Sequence, residues 1–390
     1  MFLFITALII RIISILYLNV SITDDFKLMY DASRSLLKND LSFLNTFYFK
    51  TFTYQLGHVL YQTFLLKFFN NTLFLKIINS IITSLIILFI YLISKKLFNE
   101  KIARISSLLY LFYLYPIYLN SVLTNQHLPA LITLIVIYLL VSKEYNYKLF
   151  IVCGALLSIS NIFRTESIII ILGIIGYNIC LTNKQNIKEM LKYSLILIII
   201  YLSVSFIINS CISLTLNTSL KKNAPTWKFY CGLSNKYNGL YNTEDEKAYF
   251  SSNDTQKLLL NRIRNDYTKL PILFLKKEVI LWTQTNYDIQ INNNIKNNTI
   301  KYIYTFNQGI LNFIYILFVI SLLPKKKDNY KENKILLLKI ILALYYGVYM
   351  FIEISPRYAY ILNILMFIVI GVGLERLNNL YRKKLKPKEN

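Results

Sequence analysis

Histidine occurs twice and cysteine four times in 390 residues, as His58, His127, Cys153, Cys180, Cys211 and Cys231. Two histidines are too few for a multi-histidine metal centre, and the cysteines lack Cys-x-x-Cys spacing, so neither a zinc site nor a disulfide framework is expected. Cys153, Cys180 and Cys211 fall in or beside apolar runs, where a thiol behaves as a small hydrophobe. Glycine is scarce as well, with ten in the chain. There is no GxGxxG pattern, no Walker loop, no HExxH and no internal repeat. No cofactor is predicted, and a divalent metal is left open.

Acidic residues number 20 against 43 basic ones, a net charge of +23. On one face this would suggest nucleic acid, but the lysines and arginines come in short clusters between apolar runs, as membrane orientation requires. Nucleic acid is therefore not an expected partner. The chain is 55% hydrophobic with mean hydropathy +0.45, too apolar for an ordinary water-soluble domain. Its richness in Ile, Asn, Lys, Tyr and Phe resembles the product of an A/T-biased genome, so Asn and Lys counts carry little functional weight.

Crossing hydrocarbon takes about 20 helical residues, fewer inside a bundle. Ten segments qualify: 2–20, 73–93, 102–123, 128–141, 149–163, 167–181, 193–214, 302–323, 335–352 and 358–374. The expected fold is an all-α polytopic membrane protein. The first segment reads as a retained helix rather than a cleaved leader, because Arg11 interrupts it and no small-residue cleavage site follows. Four parts are expected: a core of residues 1–214 including a first outer connection, 21–72; a loop domain, 215–301; C-terminal spans, 302–375; and a basic tail, 376–390.

The charge clusters Lys95, Lys96, Lys101 and Arg104, Lys143 with Lys148, Lys184 with Lys188 and Lys192, Lys325 to Lys327, and Arg382 to Lys384 fall on alternate connections. That is the positive-inside pattern with both termini cytoplasmic. It implies a multi-pass protein of the cell membrane. The chemistry-bearing residues then collect on the other, outer face. Asp24 and Asp25 stand where the first apolar run ends. Beyond them Phe26, Met29, Tyr30, Leu36 and Leu37 recur at helical spacing beside Lys27, Arg34 and Lys38, predicting an amphipathic helix on the membrane surface. A second surface helix is expected over residues 55–69. In the loop, Thr243 to Glu246 reads as a capping box opening a polar helix to about Tyr267, and residues 275–282 look interfacial.

Two adjacent carboxylates at a helix start read either as a solvated cap or as a general base. Arg164 and Arg357 read either as interfacial anchors or as ligand groups. With Glu166 and Glu353 beside them, the set has what is needed to activate a hydroxyl while stabilising a leaving lipid phosphate. His127, after Asn125-Gln126, reads as a helix cap or a site residue, and His58 as structural.

Thr23-Asp24-Asp25-Phe26 with Tyr30 and Ala32, Tyr48-Phe49 with Tyr54-Gln55-Leu56-Gly57, Lys76 to Asn79 with Lys95 to Phe98, Gly232 to Asp245, and Glu353 to Tyr358 occur in an order that resembles bacterial membrane glycosyltransferases of the GT-C superfamily. The likeness is to the broad group related to protein O-mannosyltransferases and aminoarabinose transferases (family 39). It implies a polyprenyl-phosphate sugar donor, an envelope glycan, lipid or protein acceptor, and transfer outside the cytoplasm by direct displacement. It also implies an acidic base in the first outer loop, Asp25 before Asp24. Donor or substrate contacts are expected from Arg357, Arg164, Glu353, Glu166, Tyr358, Arg34, Tyr54, Gln55 and His127. Where relatives often carry an acid before the fourth span, this chain has Gln126 and His127. The alternatives are a transporter or flippase, or a polymerase or ligase, of lipid-linked glycans. Ten glycines and few interior charges give a transporter's broken helices little support.

Overall fold

The structure, a computed structural model, describes residues 2–17, 20–181, 187–220, 224–283, 297–323 and 334–385. Helices account for the regular structure among them. The chain opens with α1 (Phe2–Tyr17), α2 (Asp24–Leu37), α3 (Phe47–Thr51) and α4 (Leu56–Phe68). It continues with α5 (Thr72–Leu97), α6 (Glu100–Leu111), α7 (Leu114–Ser121), α8 (His127–Ser142), α9 (Tyr147–Phe163), α10 (Ser167–Leu181) and α11 (Ile187–Leu216). A group of short helices follows, α12 (Trp227–Gly232), α13 (Thr243–Phe250), α14 (Thr255–Asp266) and α15 (Leu270–Thr283). Then come α16 (Asn297–Leu322), α17 (Ile335–Phe351) and α18 (Tyr360–Leu385).

Each apolar run is helical because a helix satisfies its backbone polar groups within the segment, as lipid demands. Four stretches are long and apolar enough to cross a membrane: Thr72–Leu97, Ile187–Leu216, Thr305–Leu322 and Pro356–Tyr381. The bent pair α6 and α7 makes a fifth. The other expected spans appear as apolar helices of 10–17 residues: α1, α8, α9, α10 and α17. The expected single span over 102–123 is corrected, since it breaks between α6 and α7 with a bend of 48°. Pro116 is the physical reason: in an unbroken helix its ring would meet the carbonyl of Phe112, four residues back. The Leu114 N–H freed at the break donates to Asn307 Oδ1 of α16 at 3.2 Å.

The helix starts are set largely by asparagine. The side chains of Asn71, Asn99, Asn146 and Asn242 each accept a backbone N–H in the first turn of α5, α6, α9 and α13. The expected capping box therefore begins one residue earlier, at Asn242. The expected polar helix to Tyr267 is two helices, restarted at α14 by the Asp254 cap. Charge clusters at Lys184 and at Lys325 to Lys327 lie outside the described residues.

At the centre runs the first half of α18, whose Leu362, Ile364, Leu365, Phe367, Ile368, Val369 and Ile370 are all buried, so that half is enclosed on every side. The interior charge of Arg11 is met by Thr83 Oγ1, which accepts from Nε at 3.0 Å, and by the Ala7 carbonyl at 3.2 Å. Helix α2 buries Phe26, Met29, Ala32 and Ser33. Its packed face lies on α4, where Ser33 donates to Gln62 Oε1 at 3.0 Å and Thr63 to the Ser33 carbonyl at 3.2 Å. The apolar side of the expected surface helix is thus covered by protein.

The segment after α17 is pinned from above by the loop helices. Glu353 N–H donates to the Lys228 carbonyl at 2.7 Å, and Ile354 N–H to the Gly239 carbonyl at 2.9 Å. Gly232 permits this closeness: a Cβ there would sit 2.1 Å from the Ile352 carbonyl carbon. Gly239, at φ +73°, has no room for a side chain against Lys277 and the Gly232 carbonyl. Lys277 Nζ is buried beneath this junction and donates to the carbonyls of Gly232, Met350 and Ile352 at 2.7, 2.8 and 2.8 Å.

Candidate active site

The start of α18 follows Ser355-Pro356, with proline in the first turn where its missing N–H costs nothing. That turn places Arg357 and Tyr358 at the end of the bundle where α2 begins and the loop helices close. Arg357 Nη2 donates to Asp25 Oδ2 at 2.6 Å, and its guanidinium lies over the Phe26 ring, 5.3 Å from the centroid. The Arg357 backbone is fixed by Gln126 Nε2, which donates to its carbonyl at 2.7 Å.

Asp25 reaches Arg357 because α2 starts unusually. Thr23 is the N-cap but forms no side-chain cap, and its hydroxyl donates to Asp24 Oδ2 at 3.0 Å. Asp24 has φ +51°, a left-handed conformation uncommon outside glycine but tolerated by aspartate. The Asp24 carboxylate takes the Thr23 hydroxyl, and Asp25 is spent on a long-range ion pair.

Two more ion pairs stand beside the first. Arg164, at the end of α9, donates from Nε to Glu166 Oε1 at 2.6 Å, and Tyr345 donates to Glu166 Oε2 at 3.5 Å. Lys228, on α12, lies 3.6 Å from Glu353 Oε2. Tyr358 joins all three. Its hydroxyl donates to Glu353 Oε1 at 3.1 Å and receives Lys228 Nζ at 3.4 Å. Its ring centroid lies 5.2 Å from the Arg164 guanidinium, 5.7 Å from that of Arg357 and 5.0 Å from Lys228 Nζ. Three cations thus lie around one aromatic ring, each with a carboxylate partner.

Burial works most strongly against the Lys228 charge, but Glu353 together with the Tyr358 and Tyr54 hydroxyls outweighs it and lifts the amine well above its usual value. Burial likewise opposes the Arg164 charge most strongly, and Glu166 with the Tyr349 and Tyr358 hydroxyls more than restores it. Both stay cationic at neutral pH. A cluster of forked cations able to trade carboxylate for phosphate oxygens is chemically an anion cradle, and Asp25 at its edge is an acceptor for a proton.

Of the residues expected at a site, Asp25, Arg357, Tyr358, Glu353, Arg164 and Glu166 meet here. Asp24 is next to Asp25. Tyr54 acts electrostatically on Lys228 and lies close by. Gln55 supports from beneath, its Oε1 accepting from Asn125 Nδ2 at 2.9 Å. Arg34 is a correction: it is exposed, over the Tyr30 ring, 5.9 Å from its centroid, and does not join the cluster. His127 is corrected as a cap, being buried in the bundle with Nδ1 2.8 Å from the Tyr360 hydroxyl. His58 is buried between the rings of Tyr61 and Phe163. Lys228 was not legible from sequence as a site residue; its one signal is its place beside Trp227 in the turn-rich loop. Among the described residues no three His, Cys, Asp or Glu side chains converge as metal ligands.

Residues 57–208 match a family model described as dolichyl-phosphate-mannose-protein mannosyltransferase. No curated protein sequence matches the chain. Among solved structures it is similar to the apo oligosaccharyltransferase of Archaeoglobus fulgidus, at 12% identity and TM-score 0.50, over 98% of this chain and 51% of that one. A second similar structure is the oligosaccharyltransferase AglB of the same organism, in complex with an inhibitory peptide and a dolichol-phosphate, at 13% identity and TM-score 0.48, over 99% and 52%. The chain therefore spans about half the length of these proteins.

Proposed function

We propose that the chain is a membrane glycosyltransferase of the GT-C type acting on a polyprenyl-phosphate-linked sugar, a reading supported by the family model that matches residues 57–208 and by the likeness of its fold to the archaeal oligosaccharyltransferase. The observation that carries this reading is the ring of Tyr358 with Arg164, Lys228 and Arg357 around it and Asp25 bonded to one of them. The acceptor is a hydroxyl of an envelope glycan, lipid or protein. All ten apolar helical stretches cross the cell membrane, the shorter ones within the bundle, with both termini cytoplasmic and the site on the outer face.

In this reading the donor phosphate competes with the carboxylates for Arg357, Arg164 and Lys228. Asp25, once released from Arg357, takes the proton of the acceptor hydroxyl. The acceptor oxygen bonds to the anomeric carbon as the bond from that carbon to the phosphate oxygen breaks. The electron pair leaves with the polyprenyl phosphate, whose growing charge the three cations stabilise. Configuration inverts in one displacement, and Asp24 is the second candidate for the base.

Membranes containing the protein are supplied with labelled polyprenyl-phosphate monosaccharides and the acceptor fraction is assayed. Label in an acceptor is expected, reduced about 10²–10⁴-fold by Asp25→Asn with Asp24→Asn. Undiminished transfer by that double variant removes Asp25 as base. Movement of the donor across the bilayer without acceptor label identifies a flippase instead.

A further inference from the structure

A hydroxyl on the wall of the site has no part in the reaction described above. Tyr48, on α3, packs edge-on against Phe49 with centroids 5.0 Å apart and tilted against Phe52 at 5.3 Å. Its hydroxyl oxygen is shut off from solvent and has no hydrogen-bond partner. The charged and polar groups acting on it are Asp25 first, then Tyr54, Arg357 and Tyr358, so it faces the Asp25–Arg357 pair.

Buried polar atoms in folded proteins are nearly always paired, because an unpaired one forfeits its bonds to water without replacement. Other unpaired atoms near this end have a local account. Gln126 Oε1 and Ser167 Oγ belong to residues lining a cavity of about 20 Å³ behind Arg164, room for about one water. Tyr48 is not among the residues lining that cavity. Its unmet hydroxyl points to a partner that arrives with the substrate.

We propose that Tyr48 is a donor-binding residue whose hydroxyl gives a hydrogen bond to a phosphate oxygen of the lipid-linked sugar held at Arg357. This rests on the glycosyl-phosphate reading of the site. The chemistry selects phosphate over the acceptor. A hydrogen bond donated to the acceptor oxygen would occupy the electron pair that must attack the sugar, whereas a phosphate oxygen offers spare lone pairs. The hydroxyl and the Arg357 fork would then hold the phosphate from two sides while Asp25 is left to the acceptor.

The test uses the full chain in phosphatidylcholine nanodiscs, titrated with undecaprenyl phosphate and, separately, with undecaprenol, which lacks the phosphate. Tyr48→Phe keeps the ring and removes the hydroxyl. It is expected to weaken undecaprenyl phosphate binding about tenfold, about 1.4 kcal/mol, and to leave undecaprenol binding unchanged. It should also leave the ligand-free melting temperature equal or higher, since an unpaired hydroxyl is lost. Equal phosphate binding by both proteins overturns the role of Tyr48 alone. A lowered melting temperature assigns the hydroxyl a structural bond and overturns it too. A wild-type protein that does not distinguish the phosphate from the alcohol overturns the site reading and this inference together.

Discussion

Apart from its place beside Trp227, nothing in its own stretch of sequence marks Lys228 as a site residue. It is one basic residue among 43, in a composition where lysine carries little information, and its partner Glu353 lies far along the chain. Arg34 is the opposite case. It sits nine residues from Asp25 on one helix, and at about 100° per residue this places the two on opposite faces, so its exclusion was readable from α2 alone. Tyr48 was part of a recognised motif, but an unpaired hydroxyl is a property of three-dimensional surroundings and has no sequence signature. His58 yields a prediction at this scale. Burial pulls its pKa from 6.5 down to about 4. The folded state therefore holds it neutral while the unfolded chain takes up a proton below pH 6.5. The stability tied to His58 is complete above that pH and is lost as pH falls toward 4. Thermal unfolding in detergent should show a loss of about 2 kcal/mol between about pH 7 and pH 5, and His58→Gln should flatten that part of the curve. Identical pH profiles for the two proteins refute the assignment.

Among the elements, the apolar helices were legible because hydrophobic length is a local property, while their joints were not. The bend at Phe112 was written in Pro116, yet a run apolar on both sides of a proline reads as continuous. The asparagine caps were discounted with the rest of the Asn content, although Asn71, Asn99, Asn146 and Asn242 each start a helix. The junction of α12, α15 and the end of α17 is the element on which the site depends, since it holds the backbone of Glu353 against that of Lys228. Lys277 closes it through three carbonyls. Lys277→Met would leave those carbonyls without their donor, and is expected to destabilise the protein by on the order of 3 kcal/mol. Gly232→Ala, whose Cβ would meet the Ile352 backbone, should lower sugar transfer as well as stability by parting Glu353 from Lys228. A Lys277→Met protein with wild-type melting behaviour would show that the three bonds are not holding the junction.

For the whole molecule, the apolar helices found among the described residues at or near the expected places explain why an all-helical membrane fold was readable from the sequence. The convergence of Asp25, Arg164, Glu353 and Arg357 at one end of the bundle was foreseen only as a shared face. Distances, and which acid meets which base, come from helix packing between segments more than 300 residues apart, as in Asp25 and Arg357. The pairing has a further consequence for traffic. Each of the three cations around Tyr358 has its own carboxylate and the exposed Asp24 adds one more, so the mouth of the site offers no net positive field to the surrounding water. An anionic headgroup would feel its attraction only on contact and would arrive by lateral diffusion along the bilayer rather than by long-range steering. Undecaprenyl phosphate affinity should then change by less than about threefold from 50 to 500 mM salt. Glu353→Gln, which shifts the charge of the set by +1, should make the same affinity rise at low ionic strength. On the proposed function, a site without a net positive field would capture its donor at a rate that follows the fluidity of the membrane.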